Sequence, residues 1–254
     1  MCLLLIDWCT HPEFLLVVAA NRDEFHDRPA APADWWTELS DIFGGRDLEA
    51  GGTWMAINRR GHFAAVTNVR KPGGIGAKTR GELSINFLVG NEADPKERLL
   101  STANEYNGYN FIGYGGEALH WFNNVEATGD SLVKGVYGLS NASLDTPWPK
   151  LIRLKSSYQV IAQQNDNFSE ALFDLLADRH TPPDDDLPNT GVGLQMERQL
   201  SPIFIEGDTY GTRCCSVYTL SRTGVARFVE RRFDRDRTFI GESAVEFEIT
   251  DTCA

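Results

Sequence analysis

The chain has 254 residues, with 24 Lys and Arg against 36 Asp and Glu for a formal charge of -12. That balance excludes a nucleic-acid partner, because phosphate binding needs clustered basic side chains; a small anionic substrate in a local basic pocket is not excluded. The length suffices for one domain with a substantial core, and 42% hydrophobic residues with 24% charged is the ordinary composition of a soluble globular protein.

The longest apolar run, residues 14–20, is too short to span a bilayer, so no membrane span is expected. The N-terminal run is interrupted by Asp7 and lacks the basic flank of a signal peptide. Cys2, Cys9, Cys214, Cys215 and Cys253 have no framework spacing and fit free thiols in a reducing compartment, the cytoplasm. The histidines are scattered, with no metal-ligand spacing. Neither a P-loop nor a dinucleotide fingerprint is present, so no metal and no cofactor is expected.

In chain order, residues 2–8 and 14–21 are strand-like runs joined by Thr10-His11-Pro12-Glu13, which predicts an N-terminal hairpin. Its second strand ends in Asn21-Arg22-Asp23-Glu24-Phe25, and a tight hairpin returns that cluster beside Cys2. Cys2 stands directly behind the initiator methionine. Trimming of Met1 would leave one residue carrying a thiol, near pKa ~8.5, and an α-amine, near ~8, hence a nucleophile and a base together. The plainer reading is a small core residue with an inert thiol.

Residues 29–41 read as a loop, with Trp35-Trp36 as a hydrophobic staple beneath it. Gly44-Gly45-Arg46-Asp47 and Gly51-Gly52-Thr53-Trp54 punctuate the approach to a second hairpin, residues 53–58 and 62–68, turning at Arg59-Arg60-Gly61. Residues 80–89 and 95–106 take helical spacing, the second with Leu99, Leu100 and Ala103 on one stripe. Strands are expected at 110–114, 118–123 and 136–141. Pro147-Trp148-Pro149 starts a helix to about residue 165 that turns Leu151, Leu154, Tyr158 and Ile161 inward. A further helix is expected at 169–178, a solvated acidic loop at Asp184-Asp185-Asp186, and strands at 203–206, 215–221 and 225–232. Consecutive hairpins with helices in blocks give an α+β class, largely antiparallel sheets under outer helices, in one domain over residues 1–254.

Cys2, Asn21-Arg22-Asp23-Glu24, Gly51-Gly52-Thr53-Trp54, Thr67-Asn68-Val69-Arg70, Tyr106-Asn107-Gly108-Tyr109-Asn110, Tyr137-Gly138-Leu139-Ser140-Asn141, Pro147-Trp148-Pro149-Lys150 and Tyr210-Gly211-Thr212-Arg213 form an ordered set. In it the chain resembles the NRDE family, which includes the transport-and-Golgi-organisation type 2 proteins and is similar to the N-terminal nucleophile hydrolases. The resemblance implies a four-layer αββα sandwich, two largely antiparallel sheets between helix layers. It also implies Cys2 as nucleophile and its α-amine as base. Asp23 would orient that amine, with Asn21 counted in the same catalytic group; Asn141 would donate to the oxyanion, and Arg213 would support the nucleophile or a substrate carboxylate. Arg22, Glu24, Trp54, Asn68, Arg70 and Asn107 are the substrate-binding candidates.

One departure stands out. The similar hydrolases carry Arg-Asn-x-Asp, whereas Ala20 fills that Arg slot here and Arg22 points to the opposite strand face from Asn21 and Asp23. Arg213 or Arg70 is left as the substitute cation. The implied activity is hydrolysis of a non-peptide C–N bond through a thioester, on a small-molecule amide or acyl substrate. The alternative is a non-catalytic ligand-binding or trafficking protein of the same fold, related to haem or lipid handling. Exposed strand edges and Trp35-Trp36 leave a homodimer open.

Overall fold

Every residue of the first strand is buried, and a strand buried on both faces needs a layer on each side. The computed structural model describes residues 2–69, 76–90, 94–163 and 167–249 and supplies those layers. The strands are β1 (Cys2–Trp8), β2 (Phe14–Phe25), β3 (Ala30–Trp35), β4 (Ile42–Asp47), β5 (Met55–Asn58), β6 (Phe63–Asn68), β7 (Tyr109–Tyr114), β8 (Leu119–Asn123), β9 (Thr128–Ser131), β10 (Gly135–Leu139), β11 (Tyr210–Ser221), β12 (Val225–Phe233) and β13 (Phe239–Glu248). The helices are α1 (Gly81–Val89), α2 (Lys96–Thr102), α3 (Pro149–Ile161), α4 (Phe168–Leu176) and α5 (Leu194–Leu200).

The first sheet has the order β10-β1-β2-β11-β12-β13 and the second β3-β4-β5-β6-β7-β8-β9, with antiparallel neighbours throughout. Period-two alternation along β1 divides the core. Leu4, Ile6 and Trp8 join Phe43, Ile57, Phe63 and Ile112 between the sheets. Leu3 and Leu5 join Leu151, Leu154 and Tyr158 of α3 with Leu172 and Phe173 of α4 on the outer side. On the far side Leu83 and Phe87 of α1 and Leu99 of α2 cover Ala64, Tyr109 and Phe111. The layers therefore run helix, sheet, sheet, helix, the αββα α+β arrangement. Among the described residues no helix is long and apolar enough to cross a membrane.

The first two hairpins and the helices over 81–89 and 149–161 fall close to their predicted places. Elsewhere the structure departs from expectation. Residues 29–41 contain β3, whose Pro32 sits at a register shift on a sheet edge, the place where a strand tolerates a missing N–H. Gly44 and Gly45 lie inside β4, where a Cβ on Gly44 would stand 2.7 Å from Ala56 Cβ and one on Gly45 would overlap the Trp54 ring. Residues 203–206 form no strand: Ile203 and Phe204 are apolar because they plug the outer core. Leu100 is exposed, so the α2 stripe is narrower than predicted. β9, β13 and α5 were not predicted; both strands are largely exposed edges, β9 with little apolar patterning and β13 with Val245 and Phe247 alternating against Glu246 and Glu248. Asp184–Asp186 is a short, exposed 3-10 turn in which Asp184 pairs with Arg198. Trp36 is buried and donates its indole N–H to Gly44 O at 3.0 Å, and Trp35 packs on Phe43, so both serve the core under this stretch.

Candidate active site

Strand register brings the motif residues together. Cys2 pairs with Arg22, Arg22 with Cys214, and Cys214 with Arg232, so these four side chains share one face in a row across β1, β2, β11 and β12. That face looks between the sheets. On the other flank the ladder ends at the Leu4–Leu139 pair, and Ser140–Asn141 continue past it beside the Cys2 end of β1. Ser140 Oγ lies 3.4 Å from Cys2 O and 3.3 Å from Asn141 Oδ1, one hydroxyl shared by two acceptors.

The second sheet holds this corner. Asn141 Nδ2 donates to Asn68 O at 2.9 Å, and Thr67 Oγ1 donates to Ser140 O at 2.6 Å. Buried Asn110 donates through Nδ2 to Ala142 O at 2.8 Å and Thr67 Oγ1 at 3.1 Å, while its Oδ1 accepts from Asn123 Nδ2 at 3.0 Å. A buried network satisfied in this way holds Ser140–Asn141 in one position, since any shift would orphan several groups at once.

Cations cluster beside Cys2. Arg22 is buried, with its guanidinium 4.2 Å from the Trp54 ring centroid and Nη2 3.8 Å from Asp47 Oδ2. Arg80 at the start of α1 donates to Gly108 O at 3.2 Å; burial lowers its pKa, and the neighbouring Cys2 and Glu24 oppose that shift. The sequence marks Arg80 only as a helix start, and its role at this site was missed. It arrives through a backbone contact: a Cβ on Gly52 would stand 2.5 Å from the Gly81 carbonyl carbon, so two glycines let α1 seat against the Gly51-Gly52-Thr53-Trp54 stretch. Burial pushes the Cys2 thiol up, the carboxylates of Asp23 and Glu24 add to the rise, and Arg22 opposes it.

Asn21 and Asp23 lie on the opposite face of β2. Asn21 Nδ2 donates to Leu176 O at 2.8 Å and Ile203 O at 2.9 Å, tying β2 to the outer helix layer, so the structure sets its side chain apart from the Cys2 thiol. Asn21→Leu should destabilise by about 2–4 kcal/mol, because two buried carbonyls lose their donor. Urea unfolding measures this, and an unchanged midpoint would show the anchor to be dispensable. Asp23 Oδ1 accepts from Thr212 Oγ1 at 2.7 Å; burial raises its pKa, against the pull of Lys150, the Thr212 bond and Arg22. Its backbone follows Arg22 directly, one residue from the partner of Cys2.

Arg213 falls at the β11 register shift, and its Nη1 donates to Phe25 O at 2.8 Å and Arg28 O at 3.1 Å. Glu24 pairs with Arg28 at 4.0 Å. Asn107 Oδ1 accepts from Gly76 N–H at 2.9 Å and so closes a loop. Arg70 lies outside the described residues.

One row deeper on the inter-sheet face, Glu230 is buried; Ala33 N–H donates to its Oε1 at 2.9 Å, while Oε2 has no hydrogen-bond partner. Burial raises this carboxyl's pKa. Below the unfolded value of ~4.3 both states are protonated and the group is neutral to stability. As pH rises above that value the unfolded chain ionises first, and folded stability falls until the folded pKa is passed. Glu230→Gln removes this dependence, so its urea midpoint should gain on the wild type between pH 4 and pH 8. A pH-independent difference would contradict the buried-carboxyl account.

The family model described as Transport and Golgi organisation 2 matches residues 1–235. Among curated proteins, the Transport and Golgi organization 2 homologs of Mus musculus and Homo sapiens are each 32% identical, covering 98% of this chain and 99% of their own. The Drosophila melanogaster protein is 28% identical over 91% of both. Among solved structures, a Caenorhabditis elegans ortholog of N-acylethanolamine-hydrolyzing acid amidase aligns with a TM-score of 0.49 at 10% identity, over 85% of this chain and 92% of that one. A C2A mutant of conjugated bile acid hydrolase from Clostridium perfringens aligns with 0.38 at 11% identity, over 98% of each. The layer order described above rests on this chain's own sheets and core clusters, not on those two alignments. Matched along nearly its whole length by both the family model and its curated members, the chain belongs to the Transport and Golgi organisation 2 family.

Proposed function

We propose that the protein is an amidohydrolase whose nucleophile is Cys2, made N-terminal by loss of Met1, and whose substrate is a linear, non-peptide amide. The observation that carries this reading is the Cys2–Arg22 pair at one end of the first sheet, with Asn141 held at the same corner through Ser140 and Asn68. A thiol, a guanidinium and an amide then belong to one corner.

Burial keeps the thiol protonated, so the reaction needs a base, and the freed α-amine of the same residue supplies it. The amine takes the thiol proton and the sulfur attacks the carbonyl carbon. The oxyanion that forms is met by Asn141, whose Nδ2 keeps a second N–H after its bond to Asn68 O. The ammonium proton passes to the leaving nitrogen as the C–N bond breaks, giving a free amine and a thioester. Water then attacks the thioester with the α-amine again as base, and as the C–S bond breaks the carboxylic acid leaves and the ammonium proton returns to the sulfur.

The test is intact mass before and after a thiol-reactive acylating probe, with peptide mapping. Loss of Met1 and one fast adduct at Cys2 are expected. Cys214 and Cys215 are fully buried, with thiols pushed far up by that burial, and should stay unlabelled. Retained Met1 with an inert Cys2 would sink the mechanism.

A further inference from the structure

Along the same row, on the side of Arg22 away from Cys2, the sheets leave a cavity of about 310 Å³. Three arginines reach its wall, Arg22, Arg213 and Arg232, and Trp54, Phe233 and Ile240 form its apolar side. Cys2 is not among the lining residues. Carboxylates stand near all three cations, but the one nearest Arg22 is shared: Asp47 lies 3.8 Å from Arg22 and 2.7 Å from Arg28, while Glu24 and Asp27 bear on Arg213 and Glu230 in the wall bears on Arg232.

Two buried polar atoms at this wall have no hydrogen-bond partner, the Arg232 Nε donor and the Glu230 Oε2. Buried polar groups in native proteins are nearly always satisfied, so these two closed-off atoms mark a wall whose own polar groups are incompletely paired. Guanidinium groups favour carboxylate and phosphate oxygens, which they meet with short, charge-assisted bonds. The volume lies at the small end of the ligand-pocket range, about 300–1,000 Å³.

We propose that this cavity binds a small amphiphilic anion, a carboxylate or phosphate ester with a short apolar body. Its charged group lies among Arg22, Arg213 and Arg232. Its apolar body lies against Trp54, Phe233 and Ile240. The site shares Arg22 with the Cys2 corner but needs no thiol chemistry, so it is measured without turnover.

The experiment is calorimetric titration of the full chain with octanoate, octyl phosphate, inorganic phosphate, octylamine and 1-octanol, repeated on the Cys2→Ala variant. Octanoate or octyl phosphate should bind, alike in wild type and Cys2→Ala, while inorganic phosphate, octylamine and 1-octanol bind at least tenfold more weakly. Which of the two anions binds tighter distinguishes a carboxylate from a phosphate source. Arg232→Gln should weaken binding by about tenfold or more, the worth of one charged hydrogen bond. Ile240 is exposed, so Ile240→Glu tests the same point without disturbing the core, by placing a like charge at the cavity rim. Octanol binding as tightly as octanoate, inorganic phosphate binding as tightly as its ester, full affinity in both variants, or no anion binding at millimolar concentration each overturn the proposal.

Discussion

Cys2→Ala is expected to abolish turnover while the fold survives. The side chain sits at the open end of β1, where it contributes a single sulfur to the edge of the inter-sheet core. Its removal should cost about 1 kcal/mol, or roughly 2–4 °C in melting temperature for a chain of this size. The rate should fall by about three orders of magnitude or more, because the other thiol in the row, Cys214, is fully buried and held protonated by that burial. Cys2→Ser keeps the size of the side chain but offers a hydroxyl that the amine deprotonates poorly, so it should be nearly as inactive and even better folded. In the wild type the rate should climb with pH through the range of the α-amine, near ~8, since the base must be unprotonated to accept the thiol proton. Probe labelling mapped to Cys2 should vanish in both variants. Turnover of an amide panel by Cys2→Ala at more than half the wild-type rate would move the chemistry elsewhere, and Cys2→Ser settles the matter should the alanine variant misfold.

The first hairpin was readable because an apolar run buried on both faces, a Pro-containing turn and a second apolar run leave one pairing open, and that pairing returns the Asn21–Glu24 cluster to Cys2. Alternation also placed Arg22 on the face opposite Asn21 and Asp23. Which of those faces carries the thiol depends on register, and register sets Arg22 with Cys2 while Asn21 turns to the carbonyls of Leu176 and Ile203. Arg80 was out of reach for another reason. Its placement in this part of the fold follows from the Gly52–Gly81 contact, which joins residues far apart in sequence, and no local spacing signals such a contact. Likewise β3 and β9 lie at sheet edges, where half-exposed residues blur the period-two pattern, the glycines of β4 hide it, and β13 keeps it in Val245 and Phe247 without having been read as a strand.

Asn141→Ala should lower kcat by about 10²–10³-fold, the usual loss for one oxyanion donor, with KM little changed, because the donor meets charge that exists only in the transition state. The effect depends on how firmly the amide is held. Its bond to Asn68 O fixes the Nδ2 group, and Thr67 with Asn110 fixes the backbone on either side through Ser140 O and Ala142 O. Truncation forfeits the bond to Asn68 O, about 1 kcal/mol of stability, so a folded but slow enzyme is the expected product. Asn141→Asp provides the control for charge. It preserves the shape but turns a donor into an acceptor facing the oxyanion, so its kcat should be no higher than that of Asn141→Ala. Thr67→Val leaves the donor in place and loosens its support; it should fall between wild type and Asn141→Ala, and the double variant should be little slower than Asn141→Ala alone, since both act on one group. If Asn141→Ala keeps kcat within about threefold of wild type, the oxyanion is met by another donor. Arg80, the second cation beside Cys2, is then the residue to replace next.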